Sequence, residues 1–340
     1  MAILLAGLAA LLYGTSDYVG GRASRRLSPL VLIAIADAIG LVVISLIVWR
    51  LGDPRPPTGS LLWGSAAGLC GLLGVLSLYR ALSAGVMTVA APITGVVGVS
   101  IPVVVGFALG DRPGVVAIFG IALAIAAVAF VSGAIGVPHQ PTPRRVVAFA
   151  VLAGTGFGLL FVFYQRAGLS GGWWPLVAAR STTVPVIWTL LATMFIAERR
   201  RAAAVAAPIG SSVDSRVEPA ADSMDGASSP PEPSAFEIGL GGESIQTAVR
   251  PAEPTPSILR LDRAGALSAV AIAFLAGGAN AAYLASTRYG LLSIVAVVVT
   301  LFPAVTVTLA MVLDAERVRR PQSIGLVLAG LAVVLVTIGA

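Results

Sequence analysis

Residues 301–339 read LFPAVTVTLAMVLDAERVRRPQSIGLVLAGLAVVLVTIG, and they echo residues 96–134, VVGVSIPVVVGFALGDRPGVVAIFGIALAIAAVAFVSGA, displaced by 205 positions. In that register Gly85 falls on Gly290, Ala91 on Ala296, Asp111-Arg112 on Glu316-Arg317, Gly120 on Gly325 and Leu123-Ala124 on Leu328-Ala329. Each copy is two apolar spans joined by a tight charged turn. A membrane chain assembled from two copies of one unit is the footprint of a carrier.

Composition sets the solvent. Of the 340 residues 57% are hydrophobic and only 11% are charged, with a mean hydropathy of +0.94. A soluble domain carries roughly 25% charge, so lipid must solvate most of this chain. The net charge of +6 hides two regimes: residues 198–263 hold ten of the sixteen acids and seven arginines, while the remainder carries fifteen arginines against six acids. Arginines in short loops between apolar runs imply headgroup contact and orientation, not nucleic-acid binding. The chain has no lysine, which excludes Schiff-base chemistry and a Walker phosphate-binding loop. One cysteine (Cys70) and one histidine (His139) supply neither an intrachain disulfide nor an ordinary zinc site, so neither metal nor cofactor is expected. The first nineteen residues lack a basic start and a small-x-small cleavage site, so they read as a retained helix.

A helix needs about twenty apolar residues to cross the hydrocarbon layer. Ten stretches qualify: 2–21, 29–49, 61–82, 86–109, 114–136, 145–167, 173–197, 264–287, 291–313 and 321–339. They are too long for strands and do not alternate apolar with polar. The connection at 198–263 differs, being rich in Pro, Ser, Ala and acids (SSPPEPS, RPAEPTPS), and is expected to be disordered.

The duplication reaches further. Gly14-Thr15 aligns with Gly154-Thr155 at a displacement of 140, which puts Arg26 on Arg166, and Ser28-Pro29-Leu30 matches Trp174-Pro175-Leu176. The expected fold is therefore an all-α membrane protein of ten transmembrane helices in two five-helix repeats. The first covers 1–137; the second covers 144–197 and 264–340. Five is odd, so the second repeat enters the membrane from the other side. Inverted halves place a site at their interface near the midplane. The loops after odd-numbered spans carry fourteen arginines near membrane ends and those after even-numbered spans five. The positive-inside rule accordingly puts both termini outside.

Three motifs now carry a family resemblance. Span 1 contains YGTSDYVGGRAS, span 4 ends in GDRPG and span 9 in DAERVRRPQSIG. The chain resembles the EamA-type families of the drug/metabolite transporter superfamily, over nearly its whole length outside the insert. That resemblance implies ten helices, two repeats, a Gly-Glu-Arg-like turn before the last helix of each repeat, and cytoplasmic termini, against the arginine tally. The sequence departs from the family in having Asp17 where Asn is usual. It also lacks the usual Arg of span 2, with Asp37 nearby, while Arg180 in span 7 fits that pattern.

Intramembrane ionisable and polar residues are the candidates for chemistry. Asp17 reads equally as a substrate or proton-coupling carboxylate and as an interfacial carboxylate answering Arg22 or Arg25. Asp37 and Arg180 occupy related positions in spans 2 and 7 and are expected to form an intramembrane ion pair joining the halves, with direct contact to substrate as the less favoured alternative. Asn280 and Tyr283 share a face of span 8, Tyr79 ends span 3, and Thr94 and Thr300 lie in the Pro- and Thr-rich spans 4 and 9. These complete the substrate-binding set, with an interhelical Asn, belt tyrosines and threonines bonded to their own helices as the bland alternatives.

Two functions follow. The first is a secondary transporter exporting a small polar or amphipathic metabolite by alternating access, integral to a bacterial cytoplasmic membrane. Its partners are the solute and the bilayer; whether it pairs as a homodimer stays open. The second is a non-transporting sensor or accessory subunit acting through the 198–263 insert. An enzyme is not expected, because the six acids outside the insert are scattered and the single His lies in a loop.

Overall fold

The computed structural model describes residues 1–24, 28–54, 56–83, 87–131, 143–168, 170–206, 263–314 and 320–339. Among them the chain forms α1 (Ala2–Ala23), α2 (Pro29–Leu51), α3 (Thr58–Ser83), α4 (Met87–Ala108), α5 (Val115–Val131) and α6 (Arg144–Gly168). These are followed by α7 (Trp174–Ala206), α8 (Arg263–Ser286), α9 (Leu292–Val299), α10 (Phe302–Leu313) and α11 (Arg320–Gly339). Helix is the form in which a lipid-facing backbone satisfies its own donors and acceptors. The starts and stops are local: Ser28-Pro29 opens α2 with proline in the first turn, and Gly52 closes it in the left-handed region at φ +64°.

Ten spans were expected. Among the described residues eight helical segments are long and apolar enough to cross a membrane, and two shorter apolar segments, Ile93–Ala108 and Val115–Val131, stand where spans 4 and 5 were placed. The ninth span is two helices. Pro303 has no N–H to offer the Val299 carbonyl, and the backbone tightens there, with Leu301 N–H donating to Val298 O at 3.3 Å. The expected disorder from residue 198 onward does not hold at its start: α7 continues through Ala206. The run AERRRAAAVA is built of strong helix formers, and its propensity carries the helix on. Residues 207–262 lie outside the described residues.

The described residues up to Ala192 and from Arg263 onward form one compact unit, and the end of α7 from Thr193 falls outside it. Both sequence repeats fall in that unit apart from residues 193–197. They are not separate packing units, because their helices interleave: α1 packs along α8 and α10, while α6 packs along α3 and α4. Glycines set these approaches. A β-carbon at Gly14 would lie 2.5 Å from Val305 Cβ and 2.7 Å from the Phe302 carbonyl; one at Gly154 would lie 2.7 Å from both Val97 Cβ and the Thr94 carbonyl. In α5 and α11 Gly120 meets Ala332 and Val336, and Gly325 meets Phe130 and Val131. The last two contacts are reciprocal under the displacement of 205, and they run the two helices antiparallel.

Cross-chain ties gather the connections after α2, α4, α6 and α8 at one end. Asp53 accepts from the Trp173 N–H at 3.0 Å, Arg288 donates to Gly172 O at 2.7 Å, Asp111 accepts from the Ser293 N–H at 2.8 Å and Ser60 meets Ser170 at 2.9 Å. Gly290 lies against Ala2, and Gly114 against Gly339, so both chain ends belong to this end too. At the opposite end Arg22 pairs with Asp314, and Gln322 donates to Val131 O at 3.4 Å. Between the ends the outward faces are apolar: Leu4, Leu8 and Leu11 of α1 are all exposed, as are Leu46, Leu62, Phe119 and Val327 elsewhere. Apolar exposure on this scale is the surface of an integral membrane protein.

Candidate functional site

Helix α1 has two faces. Leu4, Leu8 and Leu11, spaced four and three apart, look outward. Ala6, Ala10, Tyr13, Asp17 and Gly21, spaced four, three, four and four apart, share the other side. Accessibility along this inner stripe rises steadily. Ala6 is 0% and Ala10 6% exposed, Tyr13 is half-buried, and Asp17 and Gly21 are exposed. A β-carbon added at Gly21 would meet nothing within 4 Å. A stripe that is sealed at one end and accessible at the other, on the side away from the outward leucines, lines a crevice. The crevice opens toward the C-terminal end of α1.

Helix α8 forms the facing wall and runs antiparallel to α1, with Gly20 near Ile272 and Gly278 near Leu12. The Tyr13 hydroxyl donates to Asn280 Oδ1 at 2.7 Å, and Asn280 Nδ2 donates to the Ala276 carbonyl at 2.8 Å. One turn before Asn280, a β-carbon at Gly277 would find open space. Beyond Tyr13 the crevice ends in rings. Tyr13 stands edge-on to Phe161 with centroids 6.2 Å apart, and tilted against Phe302 at 6.0 Å; Phe161 lies 4.8 Å from Tyr283. The fully buried Tyr283 donates its hydroxyl to the Phe161 carbonyl at 2.7 Å, which fixes the plug.

Charge enters from α2 and α7. Arg180 Nη1 and Asp37 Oδ1 form an ion pair, and Thr183 Oγ1 donates to the other Asp37 oxygen at 3.1 Å. Both charged side chains are mostly buried, at 15% and 14% exposure. The close seat is made by Gly40, whose missing β-carbon would lie 3.6 Å from Arg180 Nε. Tyr13 lies within electrostatic reach of Asp17, Tyr164 and Arg180.

The sequence candidates divide accordingly. Asp17 and Asn280 face the same crevice. Asp17 does not answer Arg22, which bonds Asp314 and the Tyr18 hydroxyl instead; Arg25 lies outside the described residues. Among the described residues no hydrogen bond or ion pair engages the Asp17 carboxylate. Tyr283 belongs to the plug. Thr94 donates to Ala150 O of α6 at 3.1 Å and Thr300 to Val297 O of its own helix at 2.9 Å, and both are buried. The Tyr79 side chain, His139, Glu316 and Arg317 lie outside the described residues. Sequence reading overlooked Tyr13, Phe161, Tyr164, Thr183 and Phe302. Tyr13 alone carried a signal, standing one helical turn before Asp17.

A groove of about 740 Å³ lies elsewhere, between α3 and α7, lined by Leu61, Ser65, Trp174, Val177, Ser181 and Pro185 among others. It contains none of the crevice residues.

Residues 1–133, which span α1 to α5, match the model of the EamA-like transporter family. The resemblance read from YGTSDYVGGRAS and GDRPG holds there. A solved structure described only as a crystal structure of a protein superposes with a TM-score of 0.67 at 16% identity, covering 99% of this chain and 96% of that one. Such identity makes the likeness one of fold alone. No curated protein matches the sequence.

Proposed function

We propose that this chain, whose residues 1–133 belong to the EamA-like transporter family, is a secondary carrier working by alternating access between two inverted five-helix repeats. The observation that carries the reading is the graded stripe of α1: buried at Ala6, accessible at Asp17, and closed between them by the Tyr13 plug. A chamber reached from one end and sealed from the other is half of a transport cycle.

Three packing facts support inversion. The glycine contacts of α1 with α10 and of α6 with α4 correspond to within one helical turn: Gly14 meets Phe302 and Val305, which the displacement of 205 carries to Val97 and Ser100, while Gly154 meets Thr94 and Val97. The antiparallel seam of α5 with α11 exchanges into itself. Even-numbered connections and both chain ends share one end of the bundle, as ten crossings require. The broken ninth span adds a hinge: Thr306 Oγ1 donates to the Gly14 carbonyl at 3.1 Å and so ties α10 to α1 beside the crevice. A rocking of α10 about residues 300–301 would carry α1 with it. Export of a small polar or amphipathic solute across a bacterial cytoplasmic membrane is the direction and setting that the family resemblance implies.

Reconstitution tests this. Purified full-length protein in liposomes should accumulate components of a metabolite pool above protein-free liposomes. Folded, correctly inserted protein that moves nothing from such a pool would overturn the reading.

A further inference from the structure

We infer that the crevice selects a small monovalent organic cation, an ammonium group carried on an apolar or aromatic body. The inference rests on the carrier reading for its transport consequence, but its binding argument stands on the charges and rings of the crevice itself.

The charge inventory comes first. Among the described residues of α1, α2, α8, α9, α10 and the first half of α7, three charged side chains lie away from helix ends: Asp17, Asp37 and Arg180. Asp37 and Arg180 cancel each other, and Thr183 fills the remaining Asp37 oxygen. Asp17 therefore leaves the crevice with one net negative charge. A carboxylate at bilayer depth is costly unless hydrated, protonated or paired. Among the described residues Asp17 has no partner, and its exposure on the inner side of α1 leaves the carboxylate within reach of a cation arriving from solution.

Hydrogen-bonding groups point the same way. The Tyr13 hydroxyl is committed to Asn280, one Asn280 N–H to Ala276, and the Arg180 charge to Asp37. What faces the open space is the Asp17 carboxylate, an acceptor without donors when ionised. An anionic solute would meet repulsion from Asp17, with the Arg180 charge already committed to Asp37; an ammonium donates into such a site.

The rings complete the match. Tyr13 and Phe302 stand 6.0 Å apart and tilted by 51° one turn below Asp17. Aromatic faces attract cations and also accept an apolar body. Room for that body exists where Gly21 and Gly277 leave open space on the two facing helices.

The test uses full-length protein in detergent and three probes of one shape and three charges: benzyltrimethylammonium, benzyl alcohol and benzoate, with binding followed by calorimetry. Wild-type protein should bind the cation about tenfold or more tightly than either of the others. Asp17→Asn should remove that preference, and Asp17→Glu should restore it. The comparison within the wild type needs no variant, so a poorly folded mutant does not blunt it. Binding of benzoate or benzyl alcohol as tight as that of the cation would overturn the proposal. So would absence of saturable cation binding by the wild type, or an unchanged preference in folded Asp17→Asn protein. Flux in proteoliposomes separates the two readings. A cation bound through Asp17 but never moved sinks the carrier and leaves the cation site. Flux of a neutral or anionic solute that Asp17→Asn leaves intact keeps the carrier and removes the cation site.

Discussion

In the proposed duplication helices α1 and α6 hold equivalent places, yet their inner stripes are opposites. Shifting Ala6, Ala10, Tyr13, Asp17 and Gly21 by 140 positions gives Val146, Ala150, Ala153, Phe157 and Phe161. The first series goes from buried to accessible and carries a charge. The second is apolar throughout, with Val146, Ala150 and Ala153 at 0% exposure and Phe161 at 5%. Phe161 is itself part of the plug against Tyr13 and Tyr283. On the proposed duplication, unmatched chemistry at matched sequence positions accounts for a scaffold that opens at one end only. The scaffold contacts are shared by the halves, while the solute-facing side chains are not.

That comparison can be broken at four points, beginning with the largest effect. Arg180→Ala leaves Asp37 mostly buried without its counter-charge, and should cost about 3–5 kcal/mol of stability. It should be read as a collapse of monodisperse protein on extraction, partly recovered by the double variant Asp37→Ala/Arg180→Ala. Full stability of the single variant would mean the α2–α7 pair does not hold the halves together.

Next come the shared contacts. Gly14→Ala and Gly154→Ala force a β-carbon into the same packed neighbourhood, and each should cost about 1–3 kcal/mol by denaturation. The two costs should agree closely. A cost at Gly154 with none at Gly14 would break the equivalence of the halves at the point where the geometry makes it tightest.

Much of this was legible in the sequence, for a physical reason. Span length, loop punctuation and duplicated glycines are backbone matters, and Gly14, Gly154, Gly120 and Gly325 mark the close approaches themselves. Asp17 and Asn280 stood out because polar groups are costly in hydrocarbon. The aromatic plug did not, since Phe161 and Phe302 within apolar runs look like any packing residue until their partners from other helices are known. Nor did the threonines separate: a hydroxyl bonded to its own helix, as in Thr300, and one bonded across to another, as in Thr94, read alike. The break at residues 300–301 was half legible, because Pro303 announces a missing donor but not whether the helix bends or parts.

A smaller effect sharpens the contrast on the crevice wall. Tyr13→Phe removes the bond to Asn280 while keeping the ring in the plug, and should cost about 0.5–1.5 kcal/mol. Thermal unfolding of the purified variant measures it. A loss as large as that of Arg180→Ala would show that Tyr13 is a structural keystone rather than a movable part of the gate.

The most direct test concerns the crevice. With the native Cys70 replaced by alanine, single cysteines at Ala6, Ala10, Tyr13, Asp17 and Gly21 can be exposed to a water-soluble maleimide in permeabilised membranes. Labelling should rise along the series, fastest at 21 and 17 and slowest at 10 and 6, while cysteines at Ala150 and Phe161 of α6 and at Leu8 on the outward face of α1 stay unlabelled. Protection at positions 17 and 21 equal to that at position 6 would contradict a water-filled path on the inner side of α1, and with it the carrier.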